Sequence, residues 1–189
     1  MRLRELEPDL LRIHETIIQR RDQTPQDPNS TTVKLLNTGW VSKTPQILDP
    51  NIIPEKILTK GNLTKPAGIS DKLLEEAVEI AQSPFKNKEN IIEESAQALY
   101  HLMVGCVIAD ITPAVLFKAI DEVYAEQKDA VVPVNKLGES AAAAVSRVAL
   151  AGVTGNQQLI LRRSTEAIIG LNRFWEAHQI SPAEVGKEI

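Results

Sequence analysis

The chain has 189 residues, a formal net charge of −4 and a hydrophobic content of 43%. This length allows one domain or two small ones, and the acidic balance argues against a nucleic-acid partner, which needs a concentrated basic surface. The single cysteine, Cys106, excludes an intrachain disulfide and is predicted to pack inertly among its apolar neighbours.

The sequence has neither a secretory signal nor an apolar run long enough to cross a membrane. The first residues, "MRLRELEPDLL", are too charged for a secretory signal. The longest apolar run covers residues 102–109 and is far shorter than a membrane span. These features predict a cytoplasmic protein with no membrane partner.

The first third of the chain contains two helical patterns and one irregular stretch. A 3–4 spacing of apolar residues predicts a helix over 6–21, and Ser30 or Thr31 is predicted to cap a short helix that Gly39 closes. Residues 40–69 contain four prolines and no sustained period. They are predicted to form an irregular connection with a short helical piece at 54–58.

From residue 71 onward the pattern is helical throughout. Asp71 is predicted to cap a helix that Pro84 ends, and cap-forming residues precede the later helices. In chain order, the predicted helices cover residues 71–83, 87–109, 112–127, 136–151 and 157–178, with a last one beginning at Ser181–Pro182. No segment has the pattern of a strand, so the predicted fold class is all-α.

An internal repeat is visible when the chain is shifted by 69 residues. Residues 93–120 then align with 162–189 without a gap, and eight positions are identical: Ser95/Ser164, Ala98/Ala167, Leu102/Leu171, Ile111/Ile180, Pro113/Pro182, Ala114/Ala183, Lys118/Lys187 and Ile120/Ile189. The alignment predicts an internal duplication, although helix punctuation in all-α proteins also recurs by chance. Acidic residues are not repeated, because Glu76, Glu79 and Glu94 align with Val145, Val148 and Arg163.

Acidic residues gather on facing sides of two neighbouring predicted helices. Glu76 and Glu79 share one side of the first helix, and Glu94, Gln97 and His101 share one side of the second. One interpretation is a solvated acidic face. The other is a metal site, because apolar residues continue the second line and carboxylates in a partly buried zone need a cation. Oxygen ligands of this kind suit Mg²⁺ or Mn²⁺.

The spacing of these residues resembles a known signature. Glu76-x-x-Glu79 followed by Glu94-x-x-Gln97 is similar to the E-x-x-E…E-x-x-D pattern of the all-α, MazG-type nucleotide pyrophosphohydrolases. The segments "STTVKLLNTG", "KLLEEAVEIA" and "EESAQALYHLMV" most resemble the phosphoribosyl-ATP pyrophosphohydrolases of histidine biosynthesis, over about residues 5–37 and 56–125. The resemblance implies a MazG-like helical bundle that hydrolyses phosphoribosyl-ATP to phosphoribosyl-AMP and pyrophosphate with Mg²⁺ or Mn²⁺.

The resemblance also implies roles for individual acids. Glu76, Glu79 and Glu94 are expected to bind the metal. Gln97 stands where the pattern has Asp, so it is expected to be a marginal ligand that offers a carbonyl oxygen without charge. Either Glu75 or Glu79 is expected to act as general base.

Three further residues are candidates for substrate contact. Lys34 and Lys72 are candidates for phosphate binding, and the alternative for each is a solvated helix flank. His101 is aligned with Glu94 and is a candidate for reaching the substrate. Its alternative is a structural histidine held by hydrogen bonds.

Departures from the family pattern predict the domain organisation. Residues 1–130 are expected to form the phosphoribosyl-ATP pyrophosphohydrolase-like domain, with 40–69 as a proline-rich insertion. Residues 131–189 are expected to be a degenerate repeat that packs on this domain and replaces a partner subunit, giving an internal pseudo-dimer; a homodimer is the alternative. Two other functions stay open: a catalytically lapsed relative that binds a nucleotide or protein, and a house-cleaning nucleoside-triphosphate pyrophosphohydrolase.

Overall fold

The computed structural model describes residues 2–22, 30–40, 68–85, 87–127 and 132–189. Every regular element in these ranges is helical, which confirms the predicted all-α class. A 3₁₀ helix, Arg2–Leu6, precedes the first α-helix. The α-helices of the described ranges are α1 (Glu7–Asp22), α2 (Thr31–Thr38), α3 (Ile69–Gln82), α4 (Lys88–Ile108), α5 (Pro113–Gln127), α6 (Leu137–Thr154), α7 (Gln157–Ala177) and α8 (Pro182–Glu188).

Capping residues set three of the helix starts where the sequence predicts them. Asn87 and Thr112 each accept a hydrogen bond from the backbone N–H three residues further on. Ser181 forms a reciprocal capping box with Glu184. These side chains satisfy backbone donors that have no partner inside the helix, so the boundary is encoded locally.

The predicted N-cap of α3 is wrong by three residues. The helix begins at Ile69, whose N–H donates to the carbonyl of Gly39 at 3.1 Å, and Gly68 rather than Asp71 occupies the N-cap position. Asp71 lies buried in the first turn, where the helix dipole favours a negative charge. A distant carbonyl therefore replaces the expected local cap. The predicted helical piece at 54–58 lies outside the described residues.

Helix α3 lies between α4 and α6, and α7 covers the other side of α6. Most buried positions of α6 carry small side chains, which let it approach both neighbours closely: Gly138, Ala141, Ala142, Ala144, Ala149, Ala151 and Gly152. With helices on two sides, α3 buries a wide arc of its surface. This packing carries one side of the acidic helix into the interior.

The second half repeats the helix boundaries of the first at an offset of 69 residues. Helices α4 and α7 both contain 21 residues, and their starts and ends differ by this offset. Helices α5 and α8 begin at Pro113 and Pro182. Asp110 and Gln179, which also correspond, have φ of 52° and 56°, a region that non-glycine residues seldom adopt. The two halves therefore share an unusual backbone feature as well as helix lengths.

The turns after α4 and α7 close with the same hydrogen bonds. The N–H of Ile111 donates to the carbonyl of Cys106 at 2.8 Å, and that of Ile180 donates to Trp175 at 2.9 Å. Both isoleucines are buried. This bond, around a left-handed residue and followed by a buried apolar side chain, is the Schellman arrangement of a helix C-terminus.

Contacts between the two halves are reciprocal. Helix α4 contacts α8, and their counterparts α7 and α5 also contact each other. The indole N–H of Trp175 donates to the Ser95 hydroxyl at 2.8 Å. Cys106, the counterpart of Trp175, faces Ser164, the counterpart of Ser95. Reciprocal contacts of this kind are typical of two units related by a twofold axis.

No single helix in the described ranges is long and apolar enough to cross a membrane. The pair α4 and α5, bent by 113° at its break, satisfies the requirement by length and composition only.

Candidate active site

Three acids from α3 and α4 converge in the structure. Glu76 and Glu79 lie one turn apart on α3, and Glu94 lies on the facing side of α4. One carboxylate oxygen from each residue lies within 4.8 Å of the corresponding atoms of the other two. Glu76 and Glu94 are buried and Glu79 is half-buried. The acids that the helical periodicity grouped are therefore neighbours in space.

The proximity of the three acids changes their protonation. Burial, reinforced by the charges of Glu76 and Glu94, raises the pKa of Glu79 to about 7. A hydrogen bond with Glu94 contributes in the same direction, as expected when two carboxyl groups share a proton. Near neutral pH, the metal-free cluster therefore holds less negative charge than three free carboxylates would.

Glu76 is the most deeply buried acid of the group. Neither of its carboxylate oxygens has a hydrogen-bond partner among the described residues. Nδ1 of His101 lies 3.1 Å from Oε1 without hydrogen-bond alignment, and Nζ of Lys72 lies 3.7 Å from the same oxygen. A buried carboxylate without hydrogen bonds is costly. Its two open oxygens are the feature that a bound cation would satisfy.

The donor set of the cluster fits a hard divalent cation. Glu76, Glu79 and Glu94 offer carboxylate oxygens from two rigid helices. Mg²⁺ and Mn²⁺ prefer oxygen donors and keep coordination positions for water or phosphate. The residues present therefore fit the metal that the sequence pattern predicts, and the assignment of individual ligands stays a prediction.

Lys72 and Glu75 form a pair at the edge of the cluster. Nζ of Lys72 donates to Glu75 at 2.6 Å. Burial lowers the pKa of Lys72, but the hydrogen bond to Glu75 and the charges of Glu75, Glu76 and Glu79 outweigh it, and the pKa is raised overall. Lys72 is thus held as a cation by acids, and Glu75 is turned toward Lys72. The predicted roles of Lys72 in phosphate binding and of Glu75 as a base stay predictions.

An open pocket of about 340 Å³ lies beside the acids, against α4 and the end of α8. Gln97 lines it and is exposed, whereas Glu94 and His101, on the same side of α4, are buried. His101 lines the pocket and also lies next to Glu76, so it connects the pocket to the cluster. Gln97 therefore lies at the rim, where a metal-ligand role stays a prediction.

A polar network beside the pocket was not anticipated from the sequence. Arg20 on α1 donates to the hydroxyls of Thr32 and Tyr100 at 3.3 and 3.2 Å, and these two hydroxyls hydrogen-bond each other. Tyr100 also lines the pocket. Lys34, the predicted phosphate-binding residue, lies on the same helix as Thr32 and is exposed. Its role in substrate binding stays a prediction. The sequence feature that could have indicated this network is the register of α2, which places Thr32 in the interior and Lys34 on the surface.

The lone cysteine and the two tryptophans have packing roles. Cys106 is fully buried, and burial raises the pKa of its thiol to about 12, which makes it unreactive as predicted. Trp175 is buried against Ser95. The ring of Trp40 lies so close to Gly105 and Gly152 that a Cβ at either position would overlap it.

The comparison with known families agrees with this geometry. Residues 44–132 match the family model of phosphoribosyl-ATP pyrophosphohydrolase. The match covers just under half of the chain and contains α3, α4 and α5, and therefore all three clustered acids. Residues 5–37 of the expected resemblance lie outside it. No curated protein and no solved structure matches the chain. The matched segment and the all-helical fold fit the all-α, MazG-type nucleotide pyrophosphohydrolase superfamily.

Proposed function

We propose that the chain is an Mg²⁺-dependent hydrolase of the α–β phosphate bond of phosphoribosyl-ATP. The observation that carries the proposal is the convergence of Glu76, Glu79 and Glu94 inside the segment that matches the phosphoribosyl-ATP pyrophosphohydrolase family. Three carboxylates in this arrangement are costly to a fold unless they serve a ligand.

Within this proposal, the three acids hold the ion through their carboxylate oxygens. When bound there, a divalent ion supplies charge screening for the phosphates and a lower pKa for the attacking water. Helices α3 and α4 fix the acids before substrate arrives, so the ligand atoms need little rearrangement on binding. Gln97 adds a neutral carbonyl at the rim and leaves the site one charge short of the family pattern.

Glu79 is the acid best suited to carry a proton. It is half-buried, so water can reach it, and in the chain without a metal ion burial and the charges of Glu76 and Glu94 raise its pKa to about 7. In the proposed reaction, a water oxygen bonds to phosphorus, its proton passes to Glu79, and the bridging oxygen leaves with pyrophosphate. Glu75 is the less suitable base, because its carboxylate is held by Lys72.

The neighbouring pocket gives the substrate a place to lie. Its 340 Å³ is within the range of about 300–1,000 Å³ typical of small-molecule sites. Arg20, positioned by Thr32 and Tyr100, adds a guanidinium next to the pocket for a phosphate or a ribose hydroxyl. His101 lies between the pocket and the acids, where it can orient the substrate.

The test is pyrophosphate release from phosphoribosyl-ATP and from a panel of nucleoside triphosphates, with Mg²⁺ or Mn²⁺. We expect release from phosphoribosyl-ATP and a fall on the order of 100-fold or more in Glu76→Gln and Glu79→Gln. Glu122→Gln, which removes an exposed acid from α5, is the matched control and should leave the rate unchanged. Release from the triphosphates alone would favour the house-cleaning alternative. No release, together with no metal-dependent thermal shift, would favour a lapsed relative that binds a nucleotide or protein.

Gln97→Asp tests how complete the site is. If Gln97 is a weak ligand, the added charge should strengthen Mg²⁺ binding in a thermal-shift titration and raise the rate. An unchanged titration would place Gln97 beyond the reach of the ion.

We also infer that residues 131–189 occupy the place of a partner subunit, so that one chain forms a pseudo-dimer with one acidic site. The shared offset of the helix boundaries and the reciprocal contacts support this inference. Sedimentation should give a monomer of 20.8 kDa. A carbodiimide should join Lys88 to Glu184, 2.8 Å apart, within that monomer. A stable homodimer in which this link joins labelled to unlabelled chains would overturn the inference.

A further inference from the structure

A second pocket, between α6 and α7, is rich in arginine. Its volume is about 230 Å³, and Arg147, Arg163 and Arg173 line it together with one carboxylate, Glu166. Such a concentration of guanidinium groups around one small cavity is unexpected in a chain with a net charge of −4. Like charges repel, so an anion in the cavity would stabilise the arrangement.

This pocket is the counterpart of the candidate active site. Four of its lining residues correspond, at the offset of 69 residues, to site residues of the first half: Ala144 to Glu75, Arg163 to Glu94, Glu166 to Gln97 and Gly170 to His101. The counterparts of the other two acids, Val145 and Val148, are completely buried and carry no oxygen donor. The pocket of the second half thus includes positions that correspond to the candidate active site but lacks the donors that would hold a metal.

Hydrogen bonds hold the guanidinium groups of Arg163 and Arg173 in place. Arg163 donates to one oxygen of Glu166 at 2.6 Å, and Arg162 donates to the other at 2.9 Å. Burial raises the pKa of Glu166, but the two arginines outweigh it and lower the pKa overall. Arg173 donates to the carbonyl of Gln127 at 2.6 Å. A guanidinium has five N–H donors, so these bonds orient each arginine without exhausting it.

The lining favours one class of ligand. Three arginines and one ionised glutamate leave a surplus of two positive charges at the pocket, and Arg147 is exposed at its edge. Planar guanidinium groups bind phosphate oxygens in pairs, more specifically than lysine does. The volume is below the range of about 300–1,000 Å³ that holds whole drug-sized ligands. A single phosphate or diphosphate group matches both the charge and the size.

We propose that this arginine pocket binds a phosphate or diphosphate group without a metal ion. Arg163 and Arg173 contact the anion from α7, and Arg147 contacts it from α6. Glu166 limits the occupant to a compact anion, because a carboxylate at the wall repels any negative charge that lies beyond the arginines.

Binding of inorganic phosphate and of pyrophosphate to the full chain tests the proposal, by calorimetry and thermal shift with EDTA present. EDTA removes divalent ions, so enzymatic activity plays no part in the result, and variants separate binding in this pocket from binding at the acid site. We expect saturable binding of at least one of the two anions. Tighter binding of pyrophosphate would identify a diphosphate group as the preferred occupant, and equal binding would identify a single phosphate. The absence of saturable binding of both would overturn the proposal.

Variants locate the bound anion. Arg147→Gln changes an exposed residue and should preserve the fold while weakening binding at least tenfold; Arg163→Gln should do the same, and Arg147→Lys should retain part of the affinity. Arg12→Gln removes an exposed arginine from α1, outside the pocket, and is the matched control. Equal losses in Arg12→Gln and Arg147→Gln would show general charge attraction and overturn the proposal. Glu79→Gln should bind the anion as the unaltered chain does, which separates this pocket from the proposed active site.

Discussion

The acid site of the first half and the arginine pocket of the second half occupy corresponding places and carry opposite charges. In the first half, Glu76, Glu79 and Glu94 lie close together, and His101 links Glu76 to a pocket beside α4. In the second half, the corresponding cavity beside α7 is surrounded by arginines. The helix ends, caps and turns around both are nearly the same. The residues that determine the helix boundaries therefore differ from those that determine the charge of each site. A few substitutions suffice to reverse that charge.

The two halves also differ in how they use their buried positions. Glu76 is completely buried without a hydrogen-bond partner in the described part of the chain, whereas its counterpart Val145 is an ordinary core residue. A buried carboxylate costs several kcal/mol in the absence of a compensating charge, while a buried valine contributes about 1.5–3 kcal/mol. The second half is thus better suited to stability, and the first half retains the costly residues that the proposed reaction needs.

Exchanging the charges at one corresponding pair should have the largest effect. Glu94→Arg places in the acid site the residue that the second half has at Arg163. We expect pyrophosphate release to fall on the order of 100-fold or more and the Mg²⁺-induced thermal shift to disappear. The metal-free chain should not be destabilised, since the new guanidinium would compensate Glu76 and Glu79. Activity assays and thermal melts with and without Mg²⁺ measure all three effects.

The opposite exchange, Arg163→Glu, should not create a metal site. Val145 and Val148 offer no oxygen atoms to an ion beside the new carboxylate, so Mg²⁺ should leave the melting temperature as it is. Anion binding in EDTA should be lost. Mg²⁺-dependent stabilisation of this variant would show that the valines are not what separates the two sites.

The sequence predicted the helices of residues 69–189 well because their ends are encoded locally. Asn87, Thr112 and Ser181 cap their helices through side chains that lie within the same turn. The start of α3 was wrong because its first N–H is satisfied by Gly39, about thirty residues earlier in the chain. Helical periodicity and capping residues reflect interactions within a few residues of the chain. They therefore do not predict a helix boundary that a tertiary contact determines.

The candidate site likewise contains features that local sequence predicts and features that depend on tertiary contacts. Grouping Glu76, Glu79 and Glu94 needed only helical spacing and antiparallel packing, and the structure brings them together. The network of Arg20, Thr32 and Tyr100 joins three helices, so a local sequence pattern does not predict it. The arginine pocket was missed for a related reason: the alignment showed that the second half had lost its acids, but Arg147 and Arg173 meet only after α6 and α7 pack.

The acid site should also make the stability of the metal-free chain depend on pH. The pKa of Glu79 in the folded chain, about 7, lies above its ordinary value of 4.5, so folding favours the protonated carboxyl. The associated stability is fully present below about pH 4.5 and is lost as the pH rises through 7. In EDTA, the melting temperature should fall over this interval by about 2–4 °C for each kcal/mol lost, and Mg²⁺ should reduce the fall.

The arginine pocket supplies the control for this titration, since the pKa of Glu166 is lowered rather than raised. Glu79→Gln should flatten the fall of the melting temperature between pH 4.5 and 7, and Glu166→Gln should leave that part of the curve unchanged. An equally steep fall in Glu79→Gln would assign the titration to another group.

The smallest effects are expected from substitutions at the corresponding residues Ser95 and Ser164. These substitutions change the contact between the two halves without changing the acid site or the arginine pocket. Ser95→Ala leaves the indole N–H of the buried Trp175 without its acceptor, at a cost of about 1–3 kcal/mol. Ser164 faces the Cys106 thiol, which is a weak hydrogen-bond partner, and its hydroxyl makes no stronger hydrogen bond among the described residues. Removing that hydroxyl in Ser164→Ala should therefore be neutral or slightly stabilising. Denaturant melts of the two variants measure the difference, and equal losses of stability would show that the Trp175 hydrogen bond is not what distinguishes the two otherwise corresponding contacts.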